Sequence, residues 1–209
     1  MTTPQTIYLK KISEALARLI ACENFLAAFN ETKDAFALES AILQMRKSLE
    51  AVALAAIAPN KRKYADYREL AIKNADFTKD FNARSILQFL SKVNPDFYPV
   101  PVSAPIAVSP GHWHFDRRAD NSLTKEMFEA FYDRLGKHLH ADNPWGNDKG
   151  TANLAKEIPS VISATRTLLS WHFTTIRSPE FSGVWVIEVP SDRRPPRVIP
   201  AKADGEFLI

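Results

Sequence analysis

Residues 35–58 read AFALESAILQMRKSLEAVALAAIA, and their apolar positions decide the fold. Leu38, Ile42, Met45, Leu49, Val52 and Ile57 recur at helical spacing, so one stripe of a long helix is apolar. Asp34 is placed to cap its first turn, and Pro59-Asn60 ends it. Upstream, residues 5–30 carry a second helical stripe through Ile12, Leu16, Leu19, Ile20 and Leu26. Residues 30–33 form a polar turn between the two. Long helices joined by so short a connection pack as an antiparallel hairpin. Ala51, Ala53, Ala55 and Ala56 let the partner helix come close.

Beyond the hairpin the pattern predicts shorter helices over about residues 64–74 and 78–92. Prolines 95, 99, 101, 105 and 110 then rule out helix. Alternation of Val100, Val102, Ile106 and Val108 predicts extended chain crossing the bundle, with an edge strand. A helix follows over about 122–139, capped by Asn121 or Ser122, and another over about 151–171, where Pro159 is tolerable near the start or as a kink. From Trp171 the period falls to two. Residues 173–176, 184–189 and 197–199 read as three short strands. The expected fold is mainly α: a helical bundle with a small C-terminal antiparallel β-sheet, α+β overall. Residues 1–170 form the bundle, with a Pro-rich crossing segment over 95–120, and 171–209 a small β appendage.

Composition narrows the function. A chain of 209 residues that is 45% hydrophobic, with 13 Phe and 4 Trp, can bury a substantial core, which excludes wholesale disorder. A formal net charge of +3 does not by itself mark a nucleic-acid binder. The basic excess is local, at Lys61-Arg62-Lys63 and Arg117-Arg118. Cys22, the single cysteine, lies in a helical stripe and reads as a small buried thiol. No apolar run is long enough to span a bilayer, and MTTPQTIYLKK lacks the apolar stretch of a signal peptide, so a cytoplasmic protein without membrane partners is expected. Only 6 glycines are present, and no phosphate-cradling or nucleophile-elbow motif occurs.

The chemistry concentrates in residues 131–146, FYDRLGKHLHADNPWG. On a helical wheel Phe128, Phe131, Leu135 and Leu139 share an apolar sector with Met127 at its flank. Arg134 and His138 form an i,i+4 pair along one edge of that sector. His140 joins them if the helix ends and the chain turns, which residues 142–144 favour. Histidine exchanges a proton near neutrality, and arginine offers a planar, permanently charged fork to a phosphate. Cations at a helix end are also favoured by the macrodipole alone, at about 0.3–1 kcal/mol each. Elsewhere, Arg46 and Glu50 read as a helix-surface ion pair. His112, His114 and Asp116 fall on one side of an extended segment, as three metal ligands could, with no further cluster to complete the site. His172 opens the first C-terminal strand without an evident partner.

Arg134-Leu-Gly-Lys-His-Leu-His140, late in a helical chain, resembles the R-x(4–6)-H motif of HEPN-type proteins. Leu43-Gln-Met-Arg46-Lys-Ser-Leu-Glu50 resembles the arginine-bearing helix often paired with it. The resemblance implies a four- to five-helix bundle over about residues 5–171. Many members are metal-independent endoribonucleases of defence or toxin systems, and others bind RNA or nucleotides without cleaving. Two features depart from the pattern: Leu135 stands where a polar residue is usual, and His138 and His140 compete for one role. The resemblance makes Arg134, His138 and His140 candidate catalytic residues and Lys137, Arg46 and Asn143 candidate substrate-binding residues. It implies no cofactor, RNA as partner, and a homodimer in which two motifs face one cleft. A different class is a non-enzymatic helical module that binds a partner protein. An RNA site should be an open positive groove, whereas a structural cluster should be buried or neutralised by acids such as Asp133 and Asp142.

Overall fold

The computed structural model describes residues 3–118, 121–141, 145, 150–177, 182–192 and 194–202. Helix α1 (Pro4–Thr32) starts where the Thr3 hydroxyl accepts the Thr6 N–H at 3.2 Å, with Pro4 in the first turn. It ends at Lys33, whose left-handed backbone (φ 60°) returns its N–H to the Phe29 carbonyl. Asp34 then caps α2 (Ala35–Ile57), accepting the Phe36 N–H at 3.0 Å. This two-residue connection folds α2 back along α1. Ser48 accordingly donates to the Ala15 carbonyl at 2.9 Å, and Arg18 to Gln44 at 3.1 Å.

The buried stripe of α1 runs through Tyr8, Ile12, Ala15, Leu19, Cys22 and Leu26. Ile20, expected in it, is 46% exposed because it lies about 100° around the helix from Leu19. Burial pushes the Cys22 thiol up to about 12, so it packs as a small apolar group. The α2 stripe is buried as expected, and Ala51, Ala53, Ala55 and Ala56 are all buried.

A 3₁₀ turn (Ala58–Asn60) leads into α3 (Lys61–Ile72), and α4 spans Ala83–Val93. The expected start of α4 at residue 78 is too early. Asn74 and Asp76 accept local backbone N–H groups, and Asp80 turns inward to Tyr64 and Arg68, so the chain becomes helical only where Asn82 caps the Ser85 N–H at 3.0 Å.

In the Pro-rich segment, β1 (Val100–Pro101) is followed by a hairpin of β2 (Ile106–Ser109) and β3 (His112–His114), turned at Gly111 with φ +80°. Helix α5 (Lys125–Lys137) is shorter than 122–139 at both ends. Leu123 is buried with its N–H on the Ala164 carbonyl, so neither Asn121 nor Ser122 can cap, and Thr124 does so through the Met127 N–H. Helix α6 (Thr151–Ser170) carries Pro159 in its interior and runs without a loop into β4 (Trp171–Arg177).

Strands β5 (Ser182–Glu188) and β6 (Arg197–Ala201) complete an antiparallel sheet in the order β1-β4-β5-β6. The three C-terminal strands are as expected, and the crossing segment adds the fourth. Both outer strands carry a proline, Pro101 in β1 and Pro200 in β6. One face of the sheet (Ile176, Trp185, Ile187) joins the main core with the helices, so bundle and sheet share one interior. The other face (Phe173, Val184, Val186) packs under Val102 and Phe115 of the crossing segment.

His172, expected to lack a partner, is fully buried and has two. Its Nδ1–H donates to the Leu169 carbonyl at 3.2 Å, so Nε2 accepts the Tyr8 hydroxyl at 2.8 Å. This bond ties the second turn of α1 to the sheet across 164 residues of chain.

Candidate functional site

The C-terminal half of α5 presents two flanks on either side of its apolar face. Phe128, Phe131 and Leu135 are buried as the wheel predicts. Tyr132 and Gly136 lie on one flank and Arg134 and His138 on the other, about 160° apart at 3.6 residues per turn. The two flanks meet different helices.

On the first flank the Arg46 guanidinium of α2 lies 3.8 Å from the centre of the Tyr132 ring. It donates to the Tyr132 hydroxyl at 2.5 Å and carbonyl at 3.1 Å, and pairs with Glu50 at 3.2 Å. The Tyr132 hydroxyl in turn donates to Glu50 at 3.0 Å. A Cβ at position 136 would lie 2.7 Å from Arg46 Nη1, so a side chain there would push the guanidinium out of this arrangement. The expected surface pair Arg46–Glu50 is therefore part of the α2–α5 junction, with side chains only 16% and 21% exposed. It stands on the far side of α5 from Arg134.

On the second flank Arg134 pairs with Glu157 of α6, and its guanidinium lies 5.3 Å from the centre of the Phe131 ring. Both partners remain open to water, with side chains 49% and 36% exposed. The helix stops at Lys137, and His138 is its C-cap. The His138 Nδ1 lies 3.2 Å from the Thr151 hydroxyl at the start of α6. With the helix ended, His140 is off the wheel, and both histidines line one groove of about 880 Å³. The opposite wall belongs to the hairpin of long helices: Phe29 from α1, and Phe36, Leu38, Glu39, Ser40 and Leu43 from α2.

The structure therefore brings His138 and His140 together in one groove and sets Arg134 one turn back, on Glu157. Lys137 is exposed in the last turn of α5. Arg46 is held on the other flank, and Asn143 lies outside the described residues. Of the two expected neutralising acids, Asp133 pairs with Arg84 of α4 and Asp142 lies outside the described residues. Glu157, Thr151, Phe36 and Glu39 were not expected at the site. Nothing local marks them, because their roles come from helices packing across long stretches of chain.

His114 Nε2 lies 3.1 Å from Asp116, while His112 Nδ1 lies 3.1 Å from the Pro110 carbonyl, all on the exposed β2–β3 arm. Among the described residues no group of three His, Cys, Asp or Glu is placed to hold a metal ion. Among them also, no helix is long and apolar enough to cross a membrane. No family model, curated protein or solved structure matches the chain, so its functional reading rests on the groove at the end of α5.

Proposed function

We propose that the chain is a HEPN-like protein whose groove at the end of α5 is an RNA-directed site, acting as a metal-independent endoribonuclease of the defence or toxin type. The observation that carries this reading is the pair of histidines on one open groove wall, a helical turn beyond a half-exposed arginine. The ion pair of Arg134 with Glu157 does not oppose it. A solvent-exposed pair is worth about 0–1 kcal/mol, so a phosphate, which accepts a charge-assisted and bidentate contact, competes for the guanidinium.

In this mechanism the 2′-hydroxyl of the RNA attacks the adjacent phosphorus. One histidine takes the hydroxyl proton, and a second acid returns a proton to the departing 5′-oxygen. Arg134 offsets the charge that builds on the phosphoryl oxygens. His138 and His140 share the acid–base roles, or a second copy of the chain supplies one of them.

Two measurements test the reading. Arg134→Ala should abolish cleavage or binding of RNA while moving the melting temperature little, because an exposed arginine at a helix end contributes at most about 1 kcal/mol. A large loss of stability with RNA handling intact would show that the cluster is packing. Light scattering of the active preparation should give about twice the 23.5 kDa chain mass. A strict monomer that still cleaves would remove the homodimer from the mechanism.

A second reading, a non-enzymatic module that docks a partner protein, is favoured by the apolar side of the same groove. Phe36 is 74% exposed and Leu139 37% exposed there. If Arg134→Ala leaves RNA handling untouched in a stable protein, this reading takes precedence.

A further inference from the structure

The groove is chemically polarised. The part of its lining from the α5–α6 side is His138 and His140, with Thr151 and Ala152 from the first turn of α6. Gly150 precedes that turn with a left-handed backbone. Helix N-termini favour negative charge, and imidazoles donate to it. The part from α1 and α2 has the opposite character. The Phe36 ring stands 74% exposed in the second position of α2, beside Leu43 and the Glu39 carboxylate. Among the described residues Glu39 has no hydrogen-bond or ion-pair partner.

A carboxylate repels phosphate, so the α2 wall is not where a nucleic-acid backbone lies. An aromatic face beside an acceptor-only group instead suits a flat ring that carries N–H donors. A nucleotide carries both, an anionic group and such a ring. The volume of about 880 Å³ falls at the upper side of the range for small-ligand sites.

Resting on the RNA-directed reading of this site, we propose that the α2 wall is a base-binding subsite for an unpaired nucleotide of the RNA. The base stacks on Phe36, and Glu39 accepts hydrogen bonds from its edge, while the adjoining phosphate faces the histidines. A base held in a duplex cannot enter, because its ring faces and pairing edge are covered; the nucleotide must be splayed out. Guanine is the base that fits best. Its adjacent N1–H and N2–H₂ groups give a carboxylate two parallel donors, whereas uracil offers one N–H between two carbonyls.

The test uses the full chain and fluorescein-labelled nine-nucleotide RNA strands abasic outside the central position: one with a central guanosine, one with a central uridine, and one abasic throughout. Anisotropy titrations should show the guanosine RNA bound about tenfold more tightly than the abasic one, the scale of one base–aromatic stack. Phe36→Ala should erase that difference without changing the affinity of the abasic RNA. Phe36→Leu, which keeps apolar bulk but not the ring face, should behave as the alanine variant does. Glu39→Gln should lose the preference for guanosine over uridine while still preferring both to the abasic RNA. Because Phe36 is exposed, these variants should melt as the parent does.

If Phe36→Ala weakens all three RNAs equally, or none, the subsite is overturned. When Arg134→Ala abolishes binding in that same experiment, the RNA-directed reading survives without it. A parent chain that binds none of the three overturns both.

Discussion

Replacing Asp80 by alanine is expected to cost about 3 kcal/mol of stability, the largest loss for any single charged residue described above. Asp80 closes the loop between α3 and α4 over Arg68, whose side chain is only 8% exposed. The ion pair is 2.9 Å long, and the second carboxylate oxygen accepts the Tyr64 hydroxyl at 2.7 Å. Arg68 also donates to the carbonyls of Asn74 and Asp76, while its Nε is buried without a hydrogen-bond partner. Removing Asp80 leaves a guanidinium buried with dipoles and only the exposed Asp76 carboxylate nearby as counter-charge. Breaking a buried pair from one side costs about 3–5 kcal/mol, and the two remaining carbonyls hold the loss to the lower figure. Urea unfolding measures it, and the melting point should fall by roughly 6–12 °C for a chain of this size. Arg68→Met added to Asp80→Ala should recover most of the loss, since no unpaired charge is then left inside. A loss below about 1 kcal/mol for Asp80→Ala would mean that water reaches Arg68 and that the loop is not organised by the pair.

Mild acid should weaken the fold through His172. Burial lowers its imidazole from the model-peptide value of 6.5 to about 4, even though the bond to Leu169 pulls the other way. The folded protein therefore keeps the ring neutral over a range where the unfolded chain protonates it. Between pH 6.5 and 4 the unfolded state binds more protons, so stability falls as pH falls. The expected loss from this one group is about 2 kcal/mol at pH 5 and about 3 kcal/mol once pH 4 is passed. Glu14, held below the usual carboxylate range by hydrogen bonds from Lys11 and Arg18, loses its charge only in stronger acid, so pH 5–7 is the window to use. Urea titrations at pH 7 and pH 5 should show the drop in the parent. In His172→Gln, less stable throughout, that drop should be smaller by about 2 kcal/mol. An equal drop in both would place the acid sensitivity elsewhere.

The parts of the fold visible in the sequence were those set by neighbours within one or two turns. The stripes of α1 and α2, the Asp34 cap and the switch to period two at Trp171 are local patterns, and the structure follows them. Apart from Ile20, misplaced on the α1 wheel, errors fall where a distant residue decides. Leu123 is held by Ala164, which moves the α5 cap to Thr124. Asp80 is drawn to Arg68, which delays α4. Tyr8 finds His172 from the opposite end of the chain. The candidate site divides in the same way. Arg134, His138 and His140 stand out because chemistry-bearing side chains crowd a helix end. Glu157 and the α2 wall of the groove are invisible until α5 and α6 pack against the long hairpin.

The two margins of the sheet bear on what the protein does in concentrated solution. An outer strand exposes a row of unused backbone groups, a template on which further chains can add and grow into fibrils. Proline within a paired outer strand points its nitrogen away from the ladder, so the missing N–H is on the open side. In β6, Pro200 sits opposite Trp185 and breaks the row there, whereas the outer side of β1 is taken by residues 116–118: Ser103 donates to the Asp116 carbonyl at 2.8 Å and Arg118 to the Pro101 carbonyl at 3.0 Å. Among the described residues one margin of the sheet thus carries a residue that cannot donate and the other is covered by a return of the chain, and both oppose the stacking of one chain on the next.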